Sequence, residues 1–110
     1  MNKKLPIKSF KNRDDLRQWL KINCLTSEGL QVQLYKVGSG IPSITFHELL
    51  EEGLCFGWSE SKRLTHDKVS YLQIFTPRKT KGTTSRRNSL LVEKLIKENK
   101  MTQFGLSVLS

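Results

Sequence analysis

Apolar residues recur along this chain at two different periods, and each change of period marks the edge of an element. Leu16, Trp19 and Leu20 stand at i, i+3 and i+4, the spacing of one helix face. Asn12 is placed to cap that helix, and Asp14 and Asp15 put negative charge at the positive end of its dipole. Lys11, Arg13, Arg17, Gln18 and Lys21 then point outward, so the apolar stripe is expected to dock on a sheet. From Leu30 to Val37 the period falls to two, with Leu30, Val32 and Leu34 alternating with Gln31 and Gln33, the signature of a half-buried strand. Gly38-Ser39-Gly40 breaks it.

Ser43, or better Thr45 with Glu48 three residues on, starts a second helix through a capping box, and Phe46, Leu49, Leu50 and Leu54 follow at helical spacing. Gly53 and Gly57 are expected to end it, with Leu54 to Trp58 turning into another strand. Lys62 to Lys68 is polar and predicts a loop or hairpin tip, whereas Val69 to Phe75 carries β-branched and aromatic residues on both faces and predicts a central strand. Thr76 to Arg87 has no apolar residue but Pro77 and predicts a long, exposed, basic loop. Ser85 can cap a third helix that buries Leu91, Val92, Leu95 and Ile96, turns Lys94, Lys97 and Glu98 to water, and ends at Asn99. Thr102 to Leu109 adds one or two turns packed through Phe104, Leu106 and Val108. This order of elements predicts an α+β fold, an antiparallel sheet packed with helices. Trp19, Leu49, Leu54, Leu72, Ile74, Leu91 and Leu95 are expected to share its core.

A chain of 110 residues suits a single domain over 1–110, with residues 1–8 expected to be flexible. The two cysteines, Cys24 and Cys55, are too few for a disulfide framework and lack C-x-x-C spacing, so reduced, partly buried thiols are expected. The N-terminus has no signal-peptide core and no apolar run is long enough to be a transmembrane segment, which makes the cytoplasm the expected compartment. Charge changes the picture more. The net +9 is split into +5 over residues 1–21, −2 over 22–75 and +6 over 76–100. Basic ends of this kind attract a polyanion, either nucleic acid or an anionic surface.

The segment best suited to bind is Pro77 to Asn88, where Arg78, Lys79, Lys81, Ser85, Arg86, Arg87 and Asn88 surround a glycine and run into a helix N-terminus. Free backbone N–H groups and forked guanidinium groups suit phosphate or carboxylate, although the Gly-x4-Gly-Lys-Ser/Thr spacing of a P-loop is absent. The plainer alternative is a solvated loop whose Ser85 and Asn88 only cap the helix. Trp58, Tyr71 and Phe75 offer an aromatic platform beside the loop, as in single-strand binders, or else core packing. His47 and His66 lack convergent partners, so no metal and no cofactor is expected. Glu48 belongs to the capping box, Glu51 and Glu52 are expected on a solvated face, and Cys55 in its apolar run is expected to have a raised thiol pKa, so no catalytic residue is assigned.

Ordered blocks at matching separations carry a family likeness. Pro42-Ser43-Ile44-Thr45-Phe46-His47-Glu48 with Leu54-Cys55-Phe56-Gly57-Trp58, then Phe75-Thr76-Pro77-Arg78-Lys79, then Ser85-Arg86-Arg87-Asn88 and Lys100-Met101-Thr102 with Gly105-Leu106, resemble the YdeI/OmpD-associated family over residues 9 to about 107. The resemblance implies a bacterial, non-enzymatic stress-tolerance or interaction protein linked to bacteriocin protection, with a YjbR/CyaY-like sandwich fold and no established reaction. Ser59-Glu60 stand where that family usually has Ile-Asp, Thr84 where it commonly has Trp, and its usual basic helical extension does not follow Ser110. The alternative function is a nucleic-acid-binding module that uses the basic loop at 76–88.

Overall fold

A computed structural model describes residues 5–78 and 86–109 of the chain, without the side chains at 86–88, 104, 108 and 109. The elements run β1 (Ile7–Lys8), α1 (Arg13–Asn23), β2 (Leu30–Tyr35), α2 (Phe46–Phe56), β3 (Trp58–Thr65), β4 (Ser70–Pro77), α3 (Arg86–Lys97) and α4 (Gln103–Leu109). Local chemistry sets the starts of α1 and α2 as the sequence predicts. The Asn12 side chain accepts from the Asp15 N–H at 2.9 Å, and Thr45 and Glu48 complete the capping box of α2 with bonds of 3.1 and 2.9 Å.

The four strands form one sheet in the order β1-β2-β4-β3, so β4 is interior, as its apolar content on both faces predicts. The fold is α+β, but the sheet is mixed: β2, β4 and β3 pair antiparallel, whereas β1 runs parallel to β2 with Ile7 opposite Gln31. Ile7 and Lys8, within the segment expected to be flexible, stand in this strand. The Gln31 backbone N–H donates to the Pro6 carbonyl at 2.8 Å and its side-chain amide to the Leu5 carbonyl at 2.7 Å, which ties the segment to the sheet edge.

Two boundaries differ from expectation. Leu54, Cys55 and Phe56 continue α2 and do not begin a strand, because Gly57 with φ 75° closes the helix only after them. Gly53, expected at the helix end, lies inside it for another reason: a Cβ there would stand 2.9 Å from the Phe75 ring and 3.0 Å from the Trp58 carbonyl. Only hydrogen fits between α2 and the sheet at that point. The polar stretch Lys62 to Thr65 belongs to β3, and the hairpin tip is confined to His66 to Val69. An edge strand with a register shift between Glu60 and Arg63 needs no apolar alternation to pair, so its sequence conceals it.

Leu30, Val32 and Leu34 oppose Phe75, Gln73 and Tyr71 across the β2–β4 ladder and therefore share one face of the sheet. Against that face pack Leu16 and Leu20 of α1, Leu49, Leu50 and Leu54 of α2, and Leu95 of α3, in one continuous core. Trp19 and Leu91 join it half-buried; Leu72 is buried on the opposite face, outside this core, and its neighbour on that face, Ile74, is only half-buried. Ile96 and Leu106, expected inside, are exposed. For α3 this narrows the buried stripe to Leu91, Val92 and Leu95.

Candidate interaction surfaces

The basic segment singled out in the sequence falls largely outside the described residues: Lys79, Lys81 and the capping Ser85 do so entirely, and Arg86, Arg87 and Asn88 are placed only as backbone at the start of α3. Arg78 is half-buried. Its backbone N–H donates to the Gly57 carbonyl at 2.9 Å, holding the end of β4 against the α2–β3 junction. Burial pushes the Glu60 carboxyl above its ordinary range, while a backbone hydrogen bond and the charge of Arg78 draw it back. Arg78 thus has an acidic neighbour on β3.

Of the aromatic residues proposed as a platform, Trp58 and Phe75 are completely buried. Trp58 meets Trp19 edge-on at 5.6 Å and Phe75 at 5.0 Å, and its Nε1 donates to the Cys24 carbonyl at 3.2 Å. Both have the core role, and no face of Trp58 is open to a base. Tyr71 is half-buried, with the Arg63 guanidinium 4.4 Å above its ring.

The largest correction concerns Glu51 and Glu52. They are buried and not solvated, at 2% and 0% exposure, on a helix that α1, α3 and α4 all contact. Arg13 bridges both, Nε to Glu52 Oε2 and Nη1 to Glu51 Oε1 at 2.7 Å each; Arg17 Nη1 meets Glu52 Oε1 at 3.0 Å, and Arg17 Nη2 donates to the Lys100 carbonyl at 2.6 Å. Lys94 of α3 and His47 add contacts to Glu51 Oε2 at 3.4 and 3.2 Å. Arg13 and Arg17 therefore turn inward, where the sequence suggested an outward face. The signal available beforehand was their i, i+4 spacing on α1 opposite an adjacent Glu pair of matching charge.

The cluster is closely paired, with one donor left over: among the described residues, Arg13 Nη2 is buried without a hydrogen-bond partner. Burial alone would raise the Glu51 carboxyl, but the Arg13 hydrogen bond and charge, with Lys94 and His47, hold it below the ordinary carboxylate range. A depressed folded pKa stabilises the fold above the unfolded value of about 4.3, and the gain is lost as pH falls through the folded value. Glu51→Gln should therefore flatten the acid side of the stability profile measured by urea denaturation. An acid limb as steep as that of the natural chain would show that Glu51 does not contribute. Beside the cluster a recess of about 270 Å³ is lined by Arg13, Asp14, Arg17, Glu52, Asn99 and Lys100. Asp14 and Glu52 face its cations and Lys100 pairs with Glu98 at 3.1 Å, so it holds no surplus positive charge. Burial and the adjacent Glu52 push the Cys55 thiol up to about 11, which leaves it protonated near neutrality. Among the described residues no group of three or more His, Cys, Asp or Glu could hold a metal ion.

A second recess, of about 600 Å³, lies between the end of β2, the loop 36–44 and the start of α2. Leu34, Tyr35, Ile41, Ile44, Phe46 and Tyr71 form much of its wall, and Lys36 is the one charged residue among its lining. A model of the domain of unknown function DUF8412 matches residues 8–108. The chain belongs to that family. No curated protein and no solved structure matches it. The DUF8412 match spans every strand but the first residue of β1, and both recesses lie within it.

Proposed function

We propose that this DUF8412 protein is a non-enzymatic, cytoplasmic interaction protein of the stress-tolerance kind implied by its resemblance to the YdeI/OmpD-associated family. One observation carries the reading: among the described residues, the carboxylates and the thiol of α2 that could do chemistry are engaged in the fold. Glu51 and Glu52 are neutralised by Arg13 and Arg17, Glu48 closes a capping box, and the Cys55 thiol is raised to about 11. Taking that neutral quartet out of nineteen basic and ten acidic residues leaves the net +9 untouched, so the remaining side chains are still more strongly basic in proportion. Among the described residues no helix is long and apolar enough to cross a membrane.

The test is tolerance itself. Expressing the chain in a bacterial host should raise survival under an antimicrobial peptide or bacteriocin, and His47→Ala should retain the effect, because His47 is exposed and an exposed contact contributes under about 1 kcal/mol. Absence of any gain would refute the reading. Loss of the gain in a folded His47→Ala protein would point to chemistry instead.

A nucleic-acid-binding reading draws support from one further feature. Arg13 and Lys94 reach the same Glu51, and Arg17 reaches the Lys100 carbonyl, so basic residues of α1, of α3 and of the turn after it converge beside α2. That module would lose affinity steeply with salt, with a log–log slope of about −0.9 per duplex phosphate contacted or −0.7 for single strands. Weak binding that vanishes near physiological salt, and responds as much to Lys8→Ala as to Arg86→Ala, would leave only the interaction reading.

A further inference from the structure

Arg63 is an exposed cation with an unusual support. Its guanidinium stands 4.4 Å from the centroid of Tyr71 and 5.7 Å from that of Phe46, and among the described residues no hydrogen-bond acceptor or carboxylate meets it. Each of those rings also walls the 600 Å³ recess at the end of β2. Stacking on two rings limits the rotamers of a long side chain, so less entropy is lost when its N–H fork engages a ligand. A carboxylate is the group that fork fits, through two parallel hydrogen bonds.

The recess beside it has the size of a ligand site and an apolar lining. At its rim Val37 is fully exposed and Ile41 is 45% exposed, apolar surface that the fold itself leaves unburied. Lys36 adds a second positive charge, and no acidic residue lines the recess among those described. We propose that this recess binds an extended peptide segment in which apolar and acidic residues alternate. An apolar side chain packs on Tyr35, Ile41 and Tyr71, above the buried Leu34 and Ile44, and the neighbouring carboxylate is gripped by Arg63. Charge complementarity selects the acidic partner. A single strand of nucleic acid fits less well, because such channels track the backbone with repeated cations and stack bases on free rings. Here the lining holds one lysine, and the Tyr71 and Phe46 rings support Arg63. The inference deepens the binding reading above by giving the partner a chemistry, and it rests on that reading only in treating the contact as non-catalytic.

The experiment is a calorimetric and NMR titration of the full chain with a synthetic octapeptide alternating leucine and glutamate, its leucine–lysine counterpart, and a thymidine octanucleotide. The leucine–glutamate peptide should bind and shift the resonances of Ile41, Phe46 and Tyr71, and the lysine peptide should not. Arg63→Ala should weaken binding about tenfold or more, the loss expected for a charge-assisted pair. Arg63→Lys keeps the charge and loses the fork, so its affinity should fall between the two. Ile41→Asp should also weaken it, whereas Ile22→Asp, on the exposed side of α1, should not. Equal binding of both peptides, no binding at millimolar peptide, or an unchanged affinity in folded Arg63→Ala would each overturn the proposal. So would tighter binding of the oligonucleotide that Arg63→Ala abolishes. Because the readout is peptide affinity and not survival, a failure here is separate from a failure of the tolerance experiment.

Discussion

Glu52→Ala is expected to lower the stability of the fold by about 3 kcal/mol, the lower part of the 3–5 kcal/mol range for removing one partner of a buried ion pair. The side chain is wholly buried and accepts from both Arg13 Nε and Arg17 Nη1. Its removal leaves Arg17 without a carboxylate partner in the interior and Arg13 with Glu51 alone. The effect stays near the lower bound because each arginine side chain is 22% exposed, so water reaches part of the stranded charge. Glu52→Gln keeps the volume and one acceptor and should cost less. Urea denaturation of the three proteins decides it: a Glu52→Ala loss within about 0.5 kcal/mol of zero, the usual effect of a surface substitution, would mean the cluster contributes nothing.

Trp58→Ala should cost about 3–5 kcal/mol, the range for truncating a large buried aromatic side chain. Three things act together at this site: the cavity, the loss of ring contacts to Trp19 and Phe75 at 5.6 and 5.0 Å, and the stranding of the Cys24 carbonyl that Nε1 satisfies. Trp58→Phe retains much of the packing and loses the donor, so it should fall well short of the alanine variant. A loss under about 1 kcal/mol for Trp58→Ala, as at an unpacked surface, would contradict the core assignment. Such a result would return Trp58 to the role of a stacking surface.

How far the fold could be read beforehand depended on whether an element obeys a one-sided rule. α1, β2 and the start of α2 do so, and caps and apolar periods located them. The rule fails for α2 as a whole. Periodicity assigns the residues off the apolar stripe to water, yet α2 is enclosed by three other helices and the sheet, so Glu51 and Glu52 have no solvent to face. Their charge is met by Arg13 and Arg17, and that pairing depends on a tertiary approach over 35 to 39 residues that no local window contains. β3 was hidden for the opposite reason. As an edge strand with a register shift it keeps Ser59, Glu60, Lys62 and Arg63 without the alternation of a half-buried strand. The Arg63 site was missed with it, since a residue assigned to a loop is not expected to lie across Phe46 and Tyr71. The basic segment from Lys79 to Ser85 lies outside the described residues.

The spatial order β1-β2-β4-β3 also bears on how the chain acquires its structure during synthesis. β2 and β3 are made early but never touch as neighbours; each takes β4 as its ladder partner, with Leu30 and Glu60 both opposite Phe75. A nascent chain that ends before Ser70 has only β1 to set beside β2, and β3 has nothing to pair with. The β3–β4 hairpin closes locally, but the β2–β4 contacts span a long stretch of chain, so loop closure precedes their reward, which slows folding and concentrates it into a late step. The domain is thus expected to emerge from the ribosome unfolded over its first half and to form its sheet in one event once β4 has cleared the exit.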